Sequence, residues 1–296
     1  MLAGLGVDIT VADGNADSRS RLESELGVAT VDPDKVDWSD YSLVVTSPGW
    51  RPDSPLLAAA ASRGLDVIGD VELAYRLDRA EAFGAPRRWL AITGTNGKTT
   101  TTGMLAAIMA ADEQRSGLRS QAVGNIGISP FDALAATPRV DILVAELSSF
   151  QLHWSSQLHP EVGALLNLAD DHLDWHGSFD AYAADKAKIL GGDHAVIGLD
   201  DDYVSTHYGH TEPPRIGFTH TEPAPGQVGV SAGGLFINDV AGVTATVIDD
   251  VTTLQPAGLA GVLDAAAAAA VAARAGAHPE SVSYTHLRAH ETRGNL

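Results

Sequence analysis

The residues best suited to chemistry in this sequence lie in one run, residues 93–100 (TGTNGKTT). Glycines let the backbone bend around an anion, and a helix that begins directly afterwards presents its positive N-terminal end to it. Lys98 would then reach the β- and γ-phosphates of a nucleotide, and the hydroxyl of Thr99 would ligate Mg²⁺. A glycine turn that caps a helix is the alternative, because Ile92 stands where the strict phosphate-loop pattern has its first glycine. By itself the run indicates a nucleoside triphosphate, with contacts from Gly94, Thr95, Asn96, Gly97, Lys98, Thr99 and Thr100.

Two further candidates each follow a predicted buried strand. Glu146 directly follows residues 140–145 (VDILVA), and phosphate-loop proteins hold Mg²⁺ with an acidic residue at this place. A helix-capping glutamate is the alternative. His172 follows the next predicted strand, at the edge where open α/β sheets bind ligands. It could be a metal ligand, a general base or a structural histidine. Lys186, on a predicted helix, has the pattern of a surface lysine.

Strands alternate with helices in a way that predicts an α/β fold with parallel, doubly wound sheets. Residues 7–12, 43–46 and 67–68 are the strands expected in a first, partial Rossmann-like unit, whose first strand and glycine-rich turn are expected to be missing. Residues 89–93 open a second unit of the phosphate-loop ATPase type. Short strands and loops are expected over residues 200–256, and a helix over residues 258–276.

These patterns predict three parts of the chain: residues 1–84, residues 85–280 and residues 281–296. The last part changes composition abruptly and shows no apolar periodicity, so we expect a tail foreign to the chain. An ordinary frayed tail is the alternative.

The bulk composition excludes several classes of function. The chain has 296 residues, a formal charge of −19 and no cysteine, which excludes disulfides and thiolate chemistry and makes a nucleic-acid partner unexpected. The N-terminus lacks the pattern of a signal peptide, and the longest apolar run is too short for a membrane span. A soluble cytoplasmic protein is expected.

Several motifs stand in an order that resembles the Mur ligase family. In chain order they are residues 93–100 (TGTNGKTT), 124–127 (GNIG), 146–152 (ELSSFQL), 167–174 (NLADDHLD) and 182–186 (YAADK), with residues 47–49 (SPG) and 69–73 (GDVEL) matching the family's first domain. The ELSSFQ form is similar to that of members that add D-glutamate to UDP-N-acetylmuramoyl-L-alanine in peptidoglycan synthesis. The resemblance implies a monomer that uses ATP to convert the substrate carboxylate to an acyl phosphate, which the amine of D-glutamate then attacks.

The resemblance also implies roles for single residues. Lys98 and Thr99 would bind phosphate and Mg²⁺, while Glu146 would ligate a first Mg²⁺ and His172 a second. Lys186 aligns with a lysine that the family carries as a carbamate, which supplies an anionic oxygen ligand and forms only from a neutral amine, hence from a lysine with a lowered pKa. The substrate contacts would come from Asn125, Ser148 and Gln151, with Asp13 and Ser47 in the first domain.

The sequence departs from the family in two places. Asp264 stands where the family has an asparagine that touches the adenine nucleotide, and the third domain, which binds the incoming amino acid, is expected to be absent. Two other hypotheses therefore stay open. One is a related ligase with the same ATP core, such as a folylpolyglutamate synthase, and the other is a nucleotide-binding fragment without ligase activity.

Overall fold

Short apolar runs alternate with helices along the chain, and in the computed structural model, which describes residues 6–209 and 215–283, they build a mixed α/β protein. The N-terminal elements are β1 (Thr10–Ala12), α1 (Ala16–Leu26), β2 (Ala29–Val31), β3 (Leu43–Thr46), α2 (Pro55–Ala61), β4 (Asp66–Gly69) and α3 (Asp70–Arg79). The next elements are β5 (Arg88–Thr93), α4 (Lys98–Ser116), β6 (Ser120–Gly124), α5 (Pro130–Ala135), β7 (Ile142–Glu146), α6 (Ser149–His153), β8 (Val162–Leu165), α7 (Leu173–His176), α8 (Phe179–Ala187), β9 (His194–Gly198) and α9 (Asp202–Tyr208). The last elements are β10 (Ile216–Phe218), β11 (Gln227–Ser231), β12 (Gly234–Val240), β13 (Val243–Ile248), α10 (Leu259–Arg274) and α11 (Pro279–Ser283).

Nine strands form the central sheet, in the order β13-β12-β11-β10-β9-β8-β5-β7-β6. The strands from β6 across to β11 run parallel, and β12 and β13 add an antiparallel edge. Because β5 lies between β7 and β8, the carboxyl ends of these three strands meet at one edge of the sheet. That edge carries Glu146, the loop after Thr93 and the segment after Leu165.

Helices cover both faces of the central sheet, which explains why β5 is a continuous apolar run. Leu90 and Ile92 point to the face that packs against α4 and α10, while Trp89 and Ala91 point to the opposite face. Helix α10 is almost entirely alanine at its centre, and its residues 264–273 are all buried. Small side chains let this helix lie close to the sheet and to α4 at once, since interiors pack to high density.

The N-terminal strands are parallel as predicted, but they form two separate pairs, β1–β2 and β3–β4. Helix α1 buries no residue, and β1 and β2 are at most half-buried. These elements therefore bury little apolar surface that could join the two pairs into one sheet.

Glu72 fastens the N-terminal segment to the central part of the fold. Its fully buried carboxylate accepts hydrogen bonds from the backbone N–H groups of Gln157 (2.8 Å) and Leu158 (3.0 Å), and from Nε of Arg76 (2.8 Å). Next to it, the N–H of Gly69 donates to the carbonyl of Trp154 (2.9 Å). The GDVEL run therefore has a structural role of its own.

Most predicted elements are confirmed, including β3, β5, β7 and α10. One correction concerns residues 200–256, where only strands and loops were predicted. Residues 202–208 form helix α9, which begins where the side chain of Asp201 accepts a hydrogen bond from the N–H of Val204 (2.8 Å). An N-cap of this kind satisfies a free donor of the first helical turn.

The predicted tail lies mostly outside the described residues, which end at Ser283. Ser281 and Val282 are buried, and Oγ of Ser281 donates to Oδ1 of Asp112 on α4 (2.9 Å). Residues 281–283 thus take part in the fold, and the prediction of a foreign tail remains for residues 284–296.

Across residues 6–209 and 215–283, every helix falls short of the length or the apolar character needed to span a bilayer.

We expect Asp78→Ala to lower the free energy of unfolding by about 3–5 kcal/mol, because it leaves the buried guanidinium of Arg87 without its counterion. Asp78 also accepts from Nε1 of Trp89 (2.9 Å) and from the N–H of Arg87 (3.0 Å). Urea unfolding followed by circular dichroism measures the change. The control is Asp66→Ala, which removes an exposed partner of Arg76 and should cost less than about 1 kcal/mol. Equal losses for the two variants would contradict this assignment.

Candidate active site

The loop between β5 and α4 needs both of its glycines. Gly97 has φ +81°, and a Cβ there would overlap the carboxylate of Asp264 on α10. A Cβ on Gly94 would lie 2.9 Å from Cβ of Leu166, which is closer than real contacts allow. The loop therefore follows one path, pressed against α10 and the end of β8.

The N-terminus of α4 is free to hold an anion. Gly97 is its N-cap and supplies no side-chain hydrogen bond, so the first N–H groups of this 19-residue helix have no side-chain cap. Nζ of Lys98 turns back over the loop and donates to the carbonyl of Thr95 (2.9 Å). Thr99 is exposed on the first turn. The geometry of these groups is compatible with phosphate oxygens as ligands.

Asn167 holds the loop from the next strand, a role that the sequence analysis did not assign. Its Oδ1 accepts from the N–H of Asn96 (2.8 Å), and its Nδ2 donates to the carbonyl of Asn96 (3.1 Å). The hydroxyl groups of Tyr182 and Thr95 lie 2.8 Å apart on the same side. The sequence signals were the position of Asn167 just beyond a buried strand and its place at the start of the motif at residues 167–174.

Glu146 lies at the carboxyl end of β7 and is 1% exposed. Its Oε1 accepts a hydrogen bond from Nδ2 of Asn125 (2.9 Å), while Oε2 is buried and has no hydrogen-bond partner among the described residues. A buried, unsatisfied carboxylate oxygen is costly, and a cation would satisfy it. The chemistry of this position thus fits a divalent metal ion.

Lys186 is buried, which contradicts the surface lysine that its sequence pattern predicted. It is 2% exposed, and its Nζ donates to the carbonyl of Gly94 (2.7 Å) and to Oγ1 of Thr93 (3.2 Å). Burial, and then the positive charge of Lys98, lower the pKa of Lys186 to about 7, although the charges of Asp171 and Glu146 act in the opposite direction. The neutral amine is therefore well populated near neutral pH.

His172 stands at the start of α7 with a left-handed backbone, φ 51°. Its Nε2 lies 3.4 Å from Oδ2 of Asp171, and its ring contacts Phe150 at 4.7 Å between centroids. About half of the side chain is exposed, so its ring remains open to a ligand.

Ser148 and Gln151 form a capping box at the start of α6. Oγ of Ser148 accepts from the N–H of Gln151 (3.2 Å), and Oε1 of Gln151 accepts from the N–H of Ser148 (2.9 Å). This local function explains part of the ELSSFQ pattern without any substrate.

The N-terminal candidates Asp13 and Ser47 make local hydrogen bonds. Asp13 accepts from the N–H of Asn15 (2.7 Å), and the carbonyl of Ser47 accepts from the N–H of Trp50 (3.2 Å). The turn after β3 does reach α7, because Nε1 of Trp175 donates to the carbonyl of Gly49 (3.3 Å).

Several known proteins are similar to this chain. Residues 92–230 match the Mur ligase middle domain. A protein of Corynebacterium diphtheriae named UDP-N-acetylmuramoylalanine--D-glutamate ligase is 55% identical over 280 residues, which are 92% of this chain and 58% of that protein. A protein of the same name from Rhodococcus jostii is 46% identical over 291 residues, which are 95% of this chain and 56% of that protein.

The chain contains a Mur ligase middle domain. It spans less than two thirds of the length of these relatives.

Solved structures of Mur ligases share this fold. The UDP-N-acetylmuramate:L-alanyl-gamma-D-glutamyl-meso-diaminopimelate ligase from Neisseria meningitides has a TM-score of 0.55 and 19% identity, and the match covers 95% of this chain and 90% of that chain. A UDP-N-acetylmuramoyl-L-alanyl-D-glutamate--2,6-diaminopimelate ligase has a TM-score of 0.54 and 21% identity, over 84% and 61% of the two chains.

Asp264 lies beside Gly97 of the loop. Its Oδ1 accepts from Oγ1 of Thr101 (3.1 Å), and burial raises its pKa to about 6. The pKa of Asp264 in the folded state is above the ordinary value of 3.8. The contribution of its protonated carboxyl to the free energy of unfolding is therefore complete below about pH 4 and is lost as the pH rises through 6.

We therefore expect Asp264→Asn to raise the free energy of unfolding at pH 8 by about 1–2 kcal/mol, after allowance for the solvent-accessible side of the carboxyl. Near pH 4 the variant should gain nothing, because the wild-type carboxyl is then protonated. Thermal unfolding over this pH range measures the difference. A gain that does not depend on pH would contradict the assigned titration.

Proposed function

We propose that this chain carries the ATP-binding and carboxylate-activating centre of a ligase that adds D-glutamate to UDP-N-acetylmuramoyl-L-alanine in peptidoglycan synthesis. The single observation that supports it most is the unpartnered buried oxygen of Glu146, at the same sheet edge as an uncapped glycine loop and a buried lysine. The relatives named for this reaction extend over nearly the whole chain. This support exceeds that for a folylpolyglutamate-type ligase.

The proposed reaction has two steps. The substrate carboxylate attacks the γ-phosphorus of ATP, so that an acyl phosphate forms and ADP leaves. The amine of D-glutamate then attacks the acyl carbon, an amide bond forms, and phosphate and a proton leave. Both steps bring anions together, and charge neutralisation with positioning contributes most to such transfers.

The residues of this chain supply that neutralisation. The first turn of α4 and Lys98 bind the phosphates, with backbone contacts from Gly94, Thr95, Asn96, Gly97 and Thr100. Mg²⁺, when bound, neutralises charge on the transferred phosphoryl group. Thr99, Glu146, His172 and Lys186 would hold two such ions, and the free oxygen of Glu146 supports the first of these positions.

Lys186 would act as a carbamate. Its neutral amine attacks CO₂, the new N–C bond forms and a proton is released, which leaves an anionic oxygen beside the loop. The lowered pKa of Lys186, about 7, supports this step because only the neutral amine reacts.

The remaining assignments are part of the same proposal. Residues 1–84 would bind the uridine nucleotide through Asp13 and Ser47, and residues 85–280 would bind ATP in a cytoplasmic, monomeric enzyme. Asn125, Ser148 and Gln151 would contact the substrate. The contact of Asn125 with Glu146 supports its share, because the amide holds the carboxylate that faces the phosphates.

A second candidate is a nucleotide-binding fragment without ligase activity. It is favoured by one observation, that the chain spans only 58% of the Corynebacterium diphtheriae relative. Under this alternative, ATP binds at the loop but no amide forms.

A ligase assay distinguishes the two functions. We expect the chain, joined to the segments of the Corynebacterium diphtheriae relative that it does not match, to form UDP-muramoyl-dipeptide from ATP, D-glutamate and the alanyl substrate. Lys186→Ala should lower kcat by at least about 10²-fold, because a ligand of the transferred charge is lost. Lys35→Ala, at an exposed position, is the matched control and should be unchanged. If the fusion makes no product although it binds ATP, the fragment alternative is the correct one.

The carbamate has its own test. In ¹³C-labelled bicarbonate, we expect one carbamate resonance that grows between about pH 6 and pH 8, following the neutral fraction of an amine with a pKa near 7. The resonance should be missing from Lys186→Gln and present in Lys188→Gln. A signal that grows only above about pH 9, or one that survives in Lys186→Gln, would contradict carbamylation at this site.

A further inference from the structure

A second group of metal-binding side chains lies outside the phosphate loop, on the three short helices that follow the sheet edge. His153 ends α6, His176 ends α7, and Asp185 lies on α8. Nδ1 of His153 is 2.7 Å from Oδ2 of Asp185, and Nδ1 of His176 is 3.1 Å from the same oxygen. One possible ligand atom from each of the three residues lies within 4.8 Å of the other two.

Burial makes this group more than a surface cluster. The side chain of His176 is fully buried, that of Asp185 is 11% exposed, and that of His153 is 29% exposed. The rings of Trp154 and Trp175 pack edge-on against His153, each at 4.9 Å between centroids. The two tryptophan rings therefore hold the ring of His153 in place. His153 is also the most exposed of the three side chains.

The atoms that do not converge also have partners. Nε2 of His176 lies 3.0 Å from Oγ of Ser149, and Oδ1 of Asp185 accepts from Nζ of Lys188 (2.9 Å). Histidines and carboxylates that bind metal ions in proteins usually make such outer hydrogen bonds, which fix the ring orientation and the choice of ligand atom. Here they leave Nδ1 of His176 and Oδ2 of Asp185 facing the same point.

We propose that His153, His176 and Asp185 bind one transition-metal ion of the zinc class. Two imidazole nitrogens with one carboxylate oxygen suit Zn²⁺, Co²⁺ or Ni²⁺ better than Mg²⁺ or Ca²⁺, whose protein ligands are mostly oxygens. The site is thus chemically distinct from the one proposed at Glu146. It does not depend on the ligase activity.

The charges around the site are compatible with a cation. Lys188 faces Oδ1 of Asp185 and leaves Oδ2 to the two histidine rings. Without the ion, both rings must donate their Nδ1–H to Oδ2 of Asp185. The ion therefore replaces two hydrogen bonds with three coordinate bonds.

Binding here would act on the proposed active site through the helices. Helix α6 follows Glu146, α7 follows His172, and α8 carries Lys186 next to Asp185. One ion would tie the three helices together. The site would then be a structural one, whose occupancy raises the stability of the fold.

The test is a titration of the apo chain with Co²⁺, followed by visible absorption, and with Zn²⁺, followed by calorimetry. Both are run in excess Mg²⁺ to occupy oxygen-only sites. We expect one Zn²⁺ per chain with a Kd of about 1 μM or below, a tetrahedral Co²⁺ spectrum and a Tm that rises with Zn²⁺. His153→Gln should weaken binding at least about 10-fold and abolish the rise in Tm. The matched control is His159→Gln, which removes an exposed histidine paired with Asp193 and should bind as the wild type does.

Two results would overturn the proposal. One is the absence of saturable binding by the wild type. The other is equal binding by His153→Gln and the wild type, which would assign the ion to other groups. His153 is partly exposed, and its loss leaves Asp185 paired with His176 and Lys188, so the variant should keep the wild-type circular dichroism and Tm in EDTA.

Discussion

The turn from β5 into α4 is the constraint on which the proposed chemistry depends. Asn167, which follows β8, accepts a hydrogen bond from the N–H of Asn96 in the turn. Asp264 fills the space beside Gly97, and Nζ of Lys186 donates to the carbonyl of Gly94. Each contact comes from a different part of the chain. The free N–H groups of α4 are therefore aimed by the tertiary structure and do not depend on the loop sequence alone.

An acidic protein can hold a polyanion here because its local groups differ from its net charge of −19. The helix N-terminus contributes positive potential without any charged side chain, and Lys98 adds a charge directly over the loop. Lys186 is different, since burial and Lys98 together favour its neutral form. Lys186 therefore does not add a second full positive charge beside the loop, where we propose an anionic metal ligand.

The sequence predicted the elements whose patterns are local. Strands β5 and β7 were predicted because both of their faces are apolar, and the glycine loop because Gly97, Lys98 and Thr99 stand at a strand-to-helix junction. Lys186, Asn167 and His153 were misjudged or missed by pattern alone, since their importance depends on contacts made across the sheet edge. Helix α9 was missed because its region is rich in glycine and proline, although Asp201 supplied a usable cap signal. The separation of the N-terminal strands into two pairs depends on buried area, which a strand pattern does not contain.

The central claim is that ATP with Mg²⁺ binds at the loop before α4. Calorimetric titration of this chain with a non-hydrolysable ATP analogue tests it most directly, with Gly97→Ala beside Gly103→Ala. A Cβ at position 97 meets Asp264 at a positive φ, whereas a Cβ at position 103 has open space around it on the same helix. We expect the wild type to bind the analogue in a Mg²⁺-dependent manner. Gly97→Ala should weaken this binding at least about 10-fold, a loss of about 1.4 kcal/mol, and Gly103→Ala should leave it unchanged. No binding by the wild type, or equal binding by Gly97→Ala and the wild type, would contradict it.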